Sequence, residues 1–165
     1  MASSLRQALL IIIVAAILAV ATNSFSPNRI PWVGNWPSVS GSDSIIFPPS
    51  YEEGDPPFIS LDDAAAKYQS RGVVFIDARL PEDYAAGHIK GAVNLPFDYL
   101  DQYYELVLSE YRPSDEFVIY CSGEECELSL HLGRYMMAKG FSKIFVFFGG
   151  WREWEKAKLP VSAES

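Results

Sequence analysis

The two cysteines, Cys121 and Cys126, are the residues of this sequence best suited to covalent chemistry, and four residues separate them. A cysteine thiolate is both a nucleophile and a metal ligand. A structural zinc site takes four Cys or His ligands, usually in closely spaced pairs. The two histidines, His88 and His131, form no such pair with the cysteines. We therefore expect neither a metal site nor a framework of disulfide bonds, and we ask whether a cysteine acts as a nucleophile.

Cys121 directly follows residues 117–120, an apolar run that predicts a buried strand. A short loop separates it from a helix predicted at residues 128–138. In open α/β sheets, ligands bind beyond the carboxyl ends of the strands. Loop amides folded inward and the positive end of the helix would stabilise a thiolate at Cys121 and lower its pKa. A buried structural cysteine at a strand end is the alternative that position alone leaves open.

The sequence after residue 57 alternates between strand and helix patterns. Short apolar runs predict strands, and capping residues, glycines and apolar periodicity predict helices. The predicted strands are residues 73–76, 92–95, 117–120 and 144–148. The predicted helices are residues 60–70, 81–87, 99–109, 128–138 and 151–156. This alternation predicts an α/β fold with a mostly parallel central sheet that is flanked by helices on both faces.

Residues 1–22 contain an uncharged apolar run, residues 8–21, that follows Arg6. A charged flank, an apolar core of this length and a small-x-small site at residues 19–21 are typical of an export signal. The alternative is an uncleaved transmembrane anchor, which the absence of a helix-breaking residue before that site favours. Either form places Arg6 in the cytoplasm. We expect the domain on the extracytoplasmic (periplasmic) side, membrane-anchored or secreted.

Residues 23–57 form a linker by composition, since they hold seven prolines with Gly and Ser between them. Such a segment favours extended conformations over helix or central strand. Trp32 and Trp36 within it could lie at a membrane interface or dock on the surface of the domain. The net charge of −8 argues against nucleic-acid binding, which needs a basic surface.

Several ordered motifs in residues 58–162 resemble the rhodanese family. They are residues 75–79 (FIDAR), 83–96 (DYAAGHIKGAVNLP), 118–121 (VIYC), 139–141 (KGF), 149–151 (GGW) and Trp154. The resemblance implies a rhodanese-like three-layer domain preceded by one apolar N-terminal helix. It also implies a sulfurtransferase in which Cys121 carries sulfane sulfur as a persulfide, from a sulfane-sulfur donor to a thiol or protein acceptor, without a cofactor. The supporting residues that it implies are structural, namely Asp77, Arg79, Asp83 and His88.

The loop departs from the family pattern in its charge. Phosphatase relatives of this fold carry an arginine at the position of Glu127, so phosphatase activity is not expected. The remaining loop residues are Ser122, Gly123, Glu124, Glu125 and Cys126. Three glutamates near the nucleophile disfavour a dianion such as thiosulfate, and a neutral polysulfide or a protein persulfide fits better as the donor.

Cys126 leaves two further interpretations open. It could pack as a small apolar residue, or it could act as a resolving thiol that attacks a persulfide on Cys121 and leaves a disulfide. A catalytically inactive binding or sulfur- and redox-sensing module that uses the Cys121/Cys126 pair is the alternative to a sulfurtransferase. A thiol–disulfide oxidoreductase is the weakest candidate, because the spacing is C-x4-C and not C-x-x-C.

Overall fold

The computed structural model describes residues 2–25, 48–70, 72–123 and 126–164. An N-terminal helix and the domain that follows belong to separate compact units, and each is described by itself. The sequence predictions for Trp32 and Trp36 concern residues outside these ranges. The loop residues Glu124 and Glu125 also lie outside them.

The N-terminal helix, α1 (Ala2–Phe25), is apolar along most of its length. Its stretch Arg6–Ser24 has 19 residues and a mean hydropathy of 2.1. At about 1.5 Å per residue this stretch is about 28 Å long, close to the hydrocarbon thickness of a bilayer. The hydroxyl groups of Thr22 and Ser24 donate to the carbonyls of Leu18 and Val20 within the helix, each over 2.8 Å. These polar side chains are therefore compatible with an apolar surrounding. By length and composition α1 can cross a membrane.

The domain is built from a five-stranded parallel sheet and a separate two-stranded antiparallel sheet. Its helices are α2 (Leu61–Gln69), α3 (Pro81–Ala86), α4 (Leu100–Leu108), α5 (Leu128–Ala138) and α6 (Gly150–Lys156). Its strands are β1 (Phe58–Ile59), β2 (Val73–Asp77), β3 (His88–Ile89), β4 (Val93–Asn94), β5 (Glu116–Tyr120), β6 (Lys143–Phe147) and β7 (Val161–Ser162). The large sheet has the strand order β1-β6-β5-β2-β4, which places β5 at its centre.

After Glu116, strand β5 is apolar in an unbroken run because helices cover both faces of the sheet. Phe117 and Ile119 pack into one core cluster, together with Cys121 immediately after the strand. Val118 and Tyr120 point to the opposite face and pack into a second cluster. Successive side chains of a strand alternate between the faces, so both faces of β5 need apolar residues. The central parallel sheet and its helical layers, predicted from the sequence, are confirmed.

Every predicted strand and helix of the domain is present, with ends within one residue of those predicted. Three elements of two residues each were not predicted, namely β1, β3 and β7. Two-residue strands are too short to carry a hydrophobic period, so only the tertiary fold defines them. Strands β3 and β7 pair antiparallel with each other, and β1 extends the large sheet beside β6.

Residues 48–57, at the end of the proline-rich segment, dock on helix α5. The guanidinium of Arg134 on α5 donates two hydrogen bonds of 2.6 Å to the carboxylate of Asp55. It donates a third to the carbonyl of Ser50, over 2.5 Å. Pro56 lies against Gly133 so closely that a Cβ atom on this glycine would be 2.9 Å from the proline ring. The end of the linker is therefore attached to the helix that follows the cysteine loop.

Candidate active site

Cys121 begins the loop at the carboxyl end of the central strand β5, where ligands of parallel sheets bind. The start of α6 holds this loop in place. The amide of Trp151 donates to the carbonyl of Cys121 over 2.8 Å, and the amide of Arg152 donates to the carbonyl of Ser122 over 3.1 Å. Gly150 has a φ of +60°, and a Cβ atom there would lie 2.4 Å from the carbonyl oxygen of Cys121. Only glycine allows this close approach of the two backbones.

The thiol of Cys121 is buried and satisfied by its neighbours. Its exposed fraction is 0%. The thiol donates a hydrogen bond to the carbonyl oxygen of Cys126 over 2.7 Å. The hydroxyl of Ser129, on the first turn of α5, lies 3.5 Å from the Cys121 sulfur as a donor. Burial, together with the adjacent sulfur of Cys126, raises the pKa of Cys121 well above its ordinary value.

The sulfur of Cys126 lies in the more favourable place for a negative charge. The neighbouring Cys121 side chain and the amides of Ser122 and Leu128 favour a negative charge on it, which lowers the pKa of Cys126 to about 6 even though the residue is half-buried. The Leu128 amide belongs to the N-terminal end of α5, where the helix dipole also favours an anion. Of the two sulfurs, Cys126 therefore holds a negative charge more readily than Cys121.

This arrangement corrects one prediction from the sequence. Inward loop amides were expected to lower the pKa of Cys121, but the amides of Ser122 and Leu128 lower the pKa of Cys126 instead. The pKa of Cys121 moves in the opposite direction because the side chain lies within the apolar core. The direction of the pKa shift at Cys121 depends on how deeply the side chain is buried, and the sequence does not specify burial depth at a strand end.

Glu127 at the end of the loop is engaged by the docked segment. Its carboxylate accepts a hydrogen bond of 2.5 Å from the hydroxyl of Ser50. The ring of His131, one turn later in α5, lies 3.9 Å from the same carboxylate oxygen. Gly123 is buried and its carbonyl accepts the amide of Cys126 over 2.8 Å, which closes the loop.

Asp77 and Arg79 form a buried ion pair beside the loop. The guanidinium donates to both carboxylate oxygens of Asp77, and the shortest of these bonds is 2.6 Å. It also donates to the carbonyl of Gly87 over 2.7 Å. Burial opposes the charge of Arg79, but the hydrogen bonds and charge of Asp77 outweigh burial and raise the pKa of Arg79. The pair joins the end of β2 to the end of α3.

His88 and Asp83 occupy different surroundings. The Nδ1 atom of buried His88 lies 2.8 Å from the carbonyl oxygen of Tyr84, and its ring stacks on that tyrosine with centroids 3.8 Å apart. No contact of His88 with either cysteine is present among the described residues. Asp83 lies exposed on α3 and lines a cleft of about 370 Å³. Asp83 therefore lies on the ligand-accessible surface, whereas His88 lies within the scaffold.

The cleft opens beside Ser122 and contains residues that the sequence patterns did not single out. Its walls include the charged residues Arg79, Asp83, Arg152 and Glu155, and also Trp151. Arg152 and Glu155 were missed because they join the site only through the contact of α6 with the cysteine loop. Ser129 was missed too, because its burial beside Cys121 depends on how α5 packs and no local pattern gives it.

Comparisons with known proteins agree with this geometry. Residues 60–157 match the family model described as "Rhodanese-like domain". The chain belongs to the rhodanese-like domain family, as the sequence motifs predicted. This assignment rests on more than half of the chain and includes the cysteine loop.

Two curated relatives are 28% and 29% identical to the chain over the aligned residues. Rhodanese-like domain-containing protein 15 of Arabidopsis thaliana, a chloroplastic protein, is 28% identical over 105 residues, or 59% of this chain and 57% of the relative. The chain thus matches little more than half of that relative's length. Thiosulfate sulfurtransferase GlpE of Tolumonas auensis is 29% identical over 96 residues, 58% of this chain and 85% of the relative. The family to which the chain belongs therefore includes named sulfurtransferases.

Solved structures give the same fold. An EanB variant, in complex with ergothioneine covalently linked with a persulfide cysteine, has a TM-score of 0.57 and 25% identity. That match covers 66% of this chain and 28% of EanB. A thiosulfate sulfurtransferase from Pseudomonas aeruginosa has a TM-score of 0.55 at 18% identity, which shows the fold alone; 67% of this chain and 21% of that one are covered.

Proposed function

We propose that this protein is a sulfurtransferase that carries sulfane sulfur as a persulfide on Cys121. The observation that carries the proposal is the contact between the Cys121 thiol and Cys126 at the carboxyl end of the central strand. A nucleophilic cysteine needs a base or a lowered pKa to act at neutral pH. Here the neighbouring Cys126 thiolate supplies the base.

The proposed transfer starts with a proton shift from the Cys121 thiol to the Cys126 sulfur. The Cys121 thiolate then attacks the outer sulfur of a donor R–S–SH, so one S–S bond forms and the donor's S–S bond breaks. The leaving thiolate takes a proton and departs as R–SH, and Cys121–S–SH remains. An acceptor thiol attacks the outer sulfur of this persulfide in the same way and regenerates the Cys121 thiol. No metal, organic cofactor or external oxidant enters the balance.

The charge of the loop favours a weakly charged donor. Three glutamates surround the cysteines in sequence, at positions 124, 125 and 127, and the whole chain carries a net charge of −8. Such a field disfavours the approach of a dianion. Polysulfide or a thiol-borne persulfide is therefore the proposed donor class, in preference to thiosulfate.

We also propose that the domain works outside the cytoplasm. The support is the apolar stretch Arg6–Ser24 behind a single positive residue, which fits either a membrane anchor or a cleaved export signal. Amino-terminal sequencing of the exported protein distinguishes the two: an intact start identifies an anchor, and a start near residue 22 identifies a cleaved signal. Recovery of the protein in the cytoplasm alone would contradict both.

The transfer is tested on the full chain in detergent, with inorganic polysulfide as the donor and a small thiol as the acceptor. We expect persulfide product from the wild type and none above background from Cys121→Ser. Cys126→Ser should retain the nucleophile but lose its base, with a rate lower by about 100-fold. Equal rates for wild type and Cys121→Ser would overturn the proposal.

A second candidate function, a sulfur or redox sensor, is favoured by the same pair of thiols. The Cys126 thiolate would attack the inner sulfur of Cys121–S–SH, release H₂S and leave a Cys121–Cys126 disulfide. Over the loading and resolving steps together, both thiol sulfurs are oxidised to the disulfide and the sulfane sulfur is reduced to sulfide. Thiol counting after one equivalent of polysulfide tests it. Loss of two thiols with release of sulfide identifies the sensor. If both cysteines still titrate as thiol or persulfide and no disulfide forms, the sensor is excluded.

A further inference from the structure

The cleft beside the cysteine loop has the size of a small-molecule site. Its volume of about 370 Å³ lies at the lower end of the range for ligand pockets, about 300–1,000 Å³. One wall is Trp151, whose indole ring lies 5.2 Å from the guanidinium carbon of Arg79. Ser122, the residue after Cys121, forms part of its lining. A molecule in the cleft therefore contacts the loop at the residue after Cys121, while neither cysteine itself lines the cleft.

The charged residues of the cleft differ in whether they form an ion pair within the described part of the chain. Arg79 is neutralised by its buried ion pair with Asp77. Arg152, Asp83 and Glu155 are exposed, and none of them forms an ion pair with another residue in the described part of the chain. The cleft thus offers one cation and two carboxylates to a ligand. A dianion would meet a net negative charge here, whereas a ligand with both an ammonium and a carboxylate group would meet a partner for each.

We propose that this cleft binds the amino-acid part of a sulfur donor, the persulfide of cysteine or of a small cysteine peptide. Arg152 binds the donor's carboxylate, and Asp83 and Glu155 bind its ammonium group. The inference rests on the proposed function, because it names the donor class of the same site. Charge-assisted hydrogen bonds of this kind fix orientation as well as affinity. They would direct the outer sulfur of the donor toward the cysteine loop.

The transfer from such a donor balances without a further reactant. Cysteine persulfide and the Cys121 thiol give cysteine and Cys121–S–SH: the donor's S–S bond breaks, the new S–S bond forms on Cys121, and the proton of Cys121 ends on the leaving cysteine. The amino and carboxylate groups of the donor stay unchanged. They serve only for binding, so removing either one leaves the chemistry intact.

The experiment measures the donor concentration that gives half-maximal loading of Cys121, in the full chain in detergent. Three donors are compared: cysteine persulfide, N-acetylcysteine persulfide, which has no ammonium group, and cysteamine persulfide, which has no carboxylate. We expect Arg152→Gln to raise this concentration at least about tenfold for the two donors with a carboxylate and to leave cysteamine persulfide unchanged. Asp83→Asn with Glu155→Gln should affect the two donors with an ammonium group and spare N-acetylcysteine persulfide.

Matched controls remove the same charges elsewhere on the surface. Arg112→Gln and Glu105→Gln change exposed residues outside the cleft and should alter none of the three donors. If the variants affect all donors equally, or if Arg152→Gln has no more effect than Arg112→Gln, the cleft does not bind the donor. Loading of Cys121 by inorganic polysulfide distinguishes failure of the cleft inference from failure of the sulfurtransferase proposal. If polysulfide loads Cys121 but the variants show no donor selectivity, only the cleft inference is overturned. If no donor loads Cys121, the sulfurtransferase proposal is overturned.

Discussion

The thiol of Cys121 donates a hydrogen bond of 2.7 Å to the carbonyl oxygen of Cys126, and its sulfur neighbours that of Cys126. This contact bends the loop back on its own first residue. It places the buried thiol of Cys121 beside the half-buried Cys126, whose pKa the amides of the loop and of α5 lower. The two side chains therefore differ in accessibility and in pKa, although they lie in one loop. A reagent from solvent meets Cys126 first.

The first prediction concerns alkylation of the two thiols by iodoacetamide. Cys126 should react faster, and its rate should rise through an apparent pKa of about 6, because the thiolate is present above that pH and protonated below it. Cys121 should react slowly at neutral pH because burial raises its pKa. Peptide mass spectrometry at a series of pH values reports both rates. Faster labelling of Cys121 at pH 7 would contradict the charge assignment.

The second prediction concerns Gly150, where α6 meets the cysteine loop. A Cβ atom at this position would collide with the Cys121 carbonyl, and the positive φ adds about 1–2 kcal/mol of strain. Gly150→Ala should therefore lower both the free energy of unfolding and sulfur transfer. Gly140→Ala is the control, since φ is +96° there and no atom lies within 4 Å of its Cβ position. Urea denaturation measures the free energy of unfolding of both variants. Gly140→Ala reports the backbone strain alone, and Gly150→Ala reports the strain together with the collision. Equal losses of stability in the two variants would contradict the close contact at Gly150.

The third prediction concerns the docked segment. Arg134→Gln removes the paired hydrogen bonds to Asp55 and should lower the free energy of unfolding by about 1–2 kcal/mol. Arg112→Gln, on the exposed surface, should change it little.

The hydrogen bonds of Arg134 lower the pKa of Asp55, so the pair stabilises the fold above the ordinary carboxyl pKa of about 4. This stabilisation is lost as the pH falls below that value. If wild type and Arg134→Gln still differed by the same free energy of unfolding at pH 2, the difference would not come from the ion pair.

The order of strands and helices follows from local sequence patterns. The run from Phe117 to Tyr120 predicts a strand buried on both faces, and Ser60 predicts the start of α2, where its side chain accepts the amide of Asp63. The family motifs then identify Cys121 as the candidate nucleophile. These features were predictable because each is written in fewer than about fifteen consecutive residues.

Features that join distant parts of the chain were not predictable in this way. The hydrogen bond from Ser50 to Glu127 spans 77 positions, and no local pattern pairs those two residues. Arg152 lies beside the cysteine loop only because α6 packs on it. The sign of the Cys121 pKa shift depends on burial by α5 and the sheet, which a motif does not encode. Long-range packing therefore decides the charge of the site.

The most direct test of the account is to map sulfur onto the two cysteines. The reduced full chain is exposed briefly to inorganic polysulfide, alkylated to trap persulfides, and digested to peptides for mass spectrometry. We predict the added mass of one sulfur atom on Cys121 in the wild type. Cys126→Ser should show the same mass on Cys121 after an exposure lengthened about 100-fold to match its slower loading. Sulfur found on Cys126 alone in the wild type, or on neither cysteine, would contradict a persulfide carried by Cys121.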